Sequence, residues 1–179
     1  SYDGDPRLGF LQLGLIGYWG EWHTWPNEEQ FASQDLQQAI IEAYDEAFDQ
    51  TELLIRYPMQ DTNQRDFGFH DDSFGQATLG SESWYFLPLL EAAGANEHWR
   101  YAPIGGEIRP ELQDSMFSDA YSIGPQSQDP FDCIRETHAS WMLNFKAFHK
   151  DGVGYQGAQL AEAKEAATLM GYEFTLQSL

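Results

Sequence analysis

Cysteine is almost absent. Cys133 stands alone in 179 residues, so no disulfide can form within the chain, and the residue reads as a small core side chain rather than a nucleophile. Basic residues are scarce too. Nine Lys and Arg against 29 Asp and Glu leave a formal net charge of −20, which repels phosphate backbones and anionic membrane surfaces and excludes nucleic acid as a partner. A neutral ligand or a cation fits that charge, and the same acidity also serves plain solubility in a salty or extracellular setting. No apolar run approaches the roughly 18–20 residues of a membrane span, and Ser1 to Arg7 is polar and charged rather than signal-like. A glycine-rich phosphate turn and a Gly-x-Ser-x-Gly elbow are both missing, which removes the motifs of nucleotide-binding open sheets and of serine hydrolases.

What the chain does have is apolar and aromatic mass: 42% hydrophobic residues, with 12 Phe, 9 Tyr and 6 Trp, enough for one sizeable core. Leu8 to Tyr18 is a near-continuous apolar run, which predicts a strand buried on both faces. Apolar residues at three- and four-residue spacing predict an amphipathic helix over Asp35–Phe48. Strands follow at Leu53–Tyr57 and from Phe67 into Asp72, and a helix at Trp84–Ala93 despite Pro88. Next come a strand at Tyr101–Ile108, short helices at Pro110–Phe117 and Asp132–Ala139, and a strand at Ser140–Phe145. Ala158–Met170 is the strongest helix, closed by Gly171, and Tyr172–Leu176 alternates like a strand. Alternation of strand and helix implies a parallel sheet covered by helices.

The charges cluster where predicted strands end. In Gly17-Tyr18-Trp19-Gly20-Glu21-Trp22-His23-Thr24-Trp25 an acid and a histidine are bracketed by aromatics. Such rings stack on the apolar faces of sugars, and a carboxyl beside them gains a raised pKa suited to a general acid. In Ile104-Gly105-Gly106-Glu107-Ile108-Arg109 the glycines allow a close approach and Glu107 emerges at the strand end, with Arg109 or Arg56 as cations able to hold it ionised. His70, Asp71 and Asp72 are candidates for hydrogen bonds to sugar hydroxyls, and His138, Trp141 and Asn144 around the last strand can line the same cavity. With Glu21 and His23, His70 and Asp71 also offer divalent-metal ligands, although the spacing fits no strong zinc motif and no metal or other cofactor is assigned. The plain structural alternatives are tryptophans in the core, Glu21 and Glu107 in local ion pairs, and Asp71 and Asp72 as caps.

The ordered motifs GLIGYWGEWHTWP, FGFHDDSFG, PIGGEIRP and THASWMLNF resemble the C-terminal barrel half of an uncharacterised bacterial domain-of-unknown-function family of glycosidase-like TIM-barrel proteins. The resemblance spans roughly Asp3 to Leu176 and implies an α/β fold, a (β/α)8 TIM barrel of which this chain covers strands four to eight. It implies a barrel segment over residues 1–171, the start of a following β domain at 172–179, and an N-terminal barrel half lying outside this sequence, since eight strands take about 250 residues. By analogy with glycosidases that carry the acid/base after strand four and the nucleophile after strand seven, it implies a retaining glycoside hydrolase with Glu21 as acid/base and Glu107 as nucleophile. This chain has Gly20 where that group usually has Asn before the acid/base. The implied partner is a poly- or oligosaccharide contacted by Trp19, Trp22, His23, Trp25, Arg56, His70, Asp71, Asp72, Arg109, Trp141 and Asn144, and the implied setting is secreted or cell-surface in a bacterium. A non-catalytic carbohydrate-binding or scaffold protein and a metal-dependent hydrolase are the alternatives.

Overall fold

The computed structural model describes residues 2–59, 62, 65–147 and 154–171. In chain order the elements are β1 (Phe10–Gln12), α1 (Gln34–Ala47), β2 (Glu52–Ile55), β3 (Gly68–Phe74), α2 (Phe86–Ala92), β4 (Ile104–Ile108), α3 (Pro130–Thr137), β5 (Trp141–Leu143) and α4 (Gly157–Met170). The strands form one sheet in sequential order, and the β1–β2, β2–β3 and β4–β5 pairings are parallel. The chain is thus an α/β protein built on a parallel sheet, as the alternating pattern requires. Among the described residues no helix is long and apolar enough to cross a membrane, and the strand expected at Tyr172–Leu176 lies outside them.

Two compact units divide the chain, Ser1–His70 with Leu90–Pro103, and Asp71–Leu89 with Ile104–Leu179. In the first, β1 is much shorter than the apolar run that announced it. Leu13 N makes a last sheet-like bond to Leu54 O at 2.9 Å, and the chain then turns at Gly17 and Gly20, whose φ angles are +83° and +80°. A Cβ on Gly20 would sit 2.2 Å from the Gly14 carbonyl oxygen, so the turn closes only around glycine. Ser33 caps α1 by accepting from Leu36 N at 3.4 Å. Leu53, Leu54 and Ile55 of β2 are all buried, as a strand covered on both faces should be. The carboxylate of Asp3 accepts the backbone N–H groups of Asp49, Gln50 and Thr51, which ties the polar N-terminal lead to the turn before β2.

The second unit packs Phe74, Ile108, Met116, Phe117, Cys133 and Ile134 into one core. Burial pushes the Cys133 thiol up to about 12, so it is a core side chain with no thiolate at neutral pH. Asp129 caps α3 by accepting from Phe131 N and Asp132 N, and Pro130 occupies the first turn, where a missing N–H costs nothing. The same reasoning admits Pro88, which falls in the first turn of α2 because that helix starts at Phe86 and not at Trp84. Only Pro110–Leu112 of the expected Pro110–Phe117 helix forms, as a 3-10 turn. Gln113, almost fully buried, donates to Ile108 O at 2.8 Å and accepts from Phe145 N at 3.0 Å, joining the end of β4 to the segment after β5.

Candidate functional site

The segment after β1, in the first unit, is knotted by its own hydrogen bonds. Trp22 N donates to Ile16 O at 3.0 Å and Tyr18 N to His23 O at 2.8 Å. Trp22 is buried, with Nε1 donating to Leu13 O at 2.5 Å, so this ring holds the loop together instead of facing a ligand. Trp19 and Trp25 do the reverse, with 84% and 71% of their surface exposed. Trp19 also has a left-handed backbone, φ 53°, a conformation that costs a bulky residue about 1 kcal/mol or more. The Glu21 carboxylate lies 3.3 Å from His23 Nε2, while His23 Nδ1 accepts the Trp25 N–H at 3.3 Å. Those roles define the tautomer. With Nδ1 as acceptor, Nε2 carries the proton that it donates to Glu21. Tyr18, edge-on to His23, accepts at its hydroxyl from Asn27 Nδ2 at 3.1 Å. Arg56, just beyond β2, is buried with its guanidinium 4.5 Å over the Tyr57 ring, and His70 is buried at the end of this unit's part of β3.

In the second unit β4 presents two faces. Ile108 joins the core, and Gly105 and Glu107 point the other way by the two-residue period of a strand. A Cβ on Gly105 would lie 2.6 Å from two ring atoms of Trp141, its partner in register, so the indole lies directly over a glycine that leaves room for it. Glu107, half-buried on the same face, has its pKa raised first by desolvation and then by the negative charge of Asp72. Arg109 does not offset this, because its Nε donates to Glu111 Oε2 at 2.9 Å and it acts on that exposed carboxylate.

Asp71 has no exposed surface and accepts from Ser73 N at 2.9 Å and Thr78 Oγ1 at 2.7 Å, while Asp72 accepts from Ser73 Oγ at 3.3 Å. Asp71 is therefore a turn anchor below the surface. Asn144, named as a sugar ligand from sequence, donates to the Tyr155 hydroxyl at 2.8 Å and accepts from Lys146 N and Ala147 N, which makes it an organiser of the turn after β5. His138 is the exposed left-handed C-cap of α3. Sequence reasoning passed over Trp84, which stands 54% exposed in the turn before α2. A cavity of about 400 Å³ in the first unit lies at the N-terminal end of β2, beside Asp45, Asp49, Glu52 and Arg65, and touches none of the residues selected from sequence. Its charges are partly spent locally, with Arg65 Nη1 2.5 Å from Asp45 Oδ2.

No protein-family model, no curated protein and no solved structure matches this chain.

Proposed function

We propose that this chain is a carbohydrate-active protein and that the loop after β1 is a sugar-stacking platform. The exposed, left-handed Trp19 carries the reading. Its indole meets Tyr18 edge-on and tilts against His23 while leaving 84% of its surface to solvent, so burial offsets little of the cost of its left-handed backbone. Flat aromatic faces take the C–H side of a pyranose ring, the Glu21 carboxylate that His23 orients beside them has further lone pairs to accept from hydroxyls, and the net charge of −20 favours a neutral ligand over an anionic one. The experiment is calorimetric titration with a panel of soluble polysaccharides and their oligosaccharides. Trp19→Ala is expected to weaken binding at least about tenfold, equivalent to ~1.4 kcal/mol, with no loss of folded structure. Equal binding by wild type and Trp19→Ala would remove the platform.

Glycoside hydrolysis is the second reading, favoured by Glu107. A half-buried carboxyl held above its ordinary pKa stays protonated further toward neutrality, which a proton donor to a glycosidic oxygen needs and a nucleophile does not. In the family resemblance Glu107 is the nucleophile and Glu21 the acid/base, so the two carboxyls are tested separately. Glu21→Gln and Glu107→Gln should each abolish turnover of an aryl glycoside panel. A retained rate in either variant removes that residue from the chemistry. The sequential strand order and the parallel pairings support the wider reading of β1–β5 as strands four to eight of a (β/α)8 barrel.

A further inference from the structure

We infer that Trp84 and Tyr85, in the turn between β3 and α2 of the second unit, form another carbohydrate-stacking site, one that takes an uncharged sugar face on the Trp84 indole. The inference rests on the carbohydrate reading and adds a ligand-binding position to it. The two rings meet edge to face, with centroids 4.5 Å apart and planes at 90°, the orientation that aromatic quadrupoles favour. Tyr85 is half-buried and steadies its neighbour, while Trp84 turns 54% of its surface to solvent. Trp84 is therefore a held ring with a free face.

The base beneath this pair is rigid for identifiable reasons. Phe86 N donates to Ala77 O and Leu87 N to Thr78 O, both at 2.9 Å, so the loop closes on itself two residues after the indole. Thr78 is fixed by the buried Asp71 carboxylate at 2.7 Å and by the Gly75 N–H at 3.0 Å. Gln128 Oε1 accepts the Thr78 and Leu79 N–H groups at 3.1 and 2.8 Å. Phe86, which follows the pair, is buried. A ring presented on such a base loses little freedom on binding, which lowers the ordering cost that recognition by an exposed loop otherwise carries. The chemistry at the tip selects the ligand. Ser81, Glu82 and Ser83 are exposed next to the indole and supply hydroxyl and carboxylate partners for sugar hydroxyls, and Glu82 together with the acidic surface disfavours an anion.

The test uses the indole N–H resonances of the full 179-residue chain, six in number from its six tryptophans. Trp84→Phe identifies the Trp84 signal by its disappearance while keeping an aromatic ring over Tyr85. Oligosaccharide mixtures from β-glucan, xylan, galactomannan and pullulan are then titrated into the wild type. A saturable shift of the Trp84 signal with at least one of them, together with about tenfold weaker binding read from that same signal in Tyr85→Ala, which keeps the indole and removes the ring that steadies it, is the expected result. If other tryptophan signals shift and that of Trp84 does not, the inference is overturned and the carbohydrate reading stands. If no indole signal shifts with any mixture, both fall. Sedimentation of wild type and Trp84→Ser without sugar adds a check, because a self-association that Trp84→Ser abolishes would make Trp84 a protein contact and overturn the proposal.

Discussion

At the scale of single residues, the tryptophans of the loop after β1 divide by what their rings touch, and the division predicts opposite outcomes for two substitutions. Trp22→Phe keeps a buried ring and loses the N–H that satisfies Leu13 O, so the expected cost is about 1–3 kcal/mol in urea unfolding. Trp19→Ala removes an exposed ring and should stay within about 0.5 kcal/mol of wild type. A large loss from Trp19→Ala would make it a structural residue after all. Glu107 allows a signed prediction with pH. Its folded pKa is raised above the unfolded value, so the native state binds that proton more tightly, and ionisation costs stability as pH rises through the folded pKa. Glu107→Gln should therefore raise Tm at pH 7, by about 1–3 °C because solvent screens a half-exposed group. The gain should fade below the ordinary glutamate pKa of about 4.3. Thermal scans of both proteins at pH 7 and pH 4 decide it, and a Tm lowered at pH 7 would mean that Glu107 is stabilised as the anion.

At the scale of elements, the paired glycines of β4 set how closely the strands run. A Cβ on Gly106 would lie 2.3 Å from Asp71 O, so Gly106→Ala must force β3 and β4 apart and is expected to cost several kcal/mol, on the order of an overpacked core. Circular dichroism melts would show it, and an unchanged melt would mean that the two strands can separate freely. Sequence made these elements visible to different degrees. Amphipathic spacing located α1, and a run of strong helix formers located α4, each to within a residue or two, because both are local signals. The run Leu8–Tyr18 misled in length, since apolar content does not show where a chain must turn, and Gly14, Gly17 and Gly20 carried that information. Glu21, Glu107 and the exposed Trp19 were legible as acids and rings beside strand ends. The roles of Trp22, Asp71 and Asn144 were not, because burial and hydrogen-bond partners come from tertiary placement, which residue type does not encode. Trp84 was missed when an apolar stretch drew the start of α2 two residues too early.

For the whole molecule the net charge of −20 decides the response to salt and acid. Like charges spread over a small protein repel one another in the compact state, and the screening length falls from about 30 Å at 0.01 M salt to about 8 Å at 0.15 M. Tm should accordingly rise by a few degrees, about 2–5 °C, between those ionic strengths at pH 7, with sodium and potassium chloride equivalent. Mild acid should act in the same direction, because Glu107 takes up its proton early while Asp5 and Glu111, held below their ordinary values by hydrogen bonds, remain ionised. For those two the sign is opposite. Their folded pKa values are depressed, so the stability they contribute is present above the unfolded pKa near 4 and is lost as pH falls through the folded values. An optimum on the acid side of neutrality follows, with Tm higher near pH 5.5 than at pH 7 and falling again below pH 4. A Tm that drops on adding salt at pH 7 would show that ion pairs such as Arg65–Asp45 and Lys146–Asp114 outweigh the repulsion, and that the excess of acid is locally balanced in the fold.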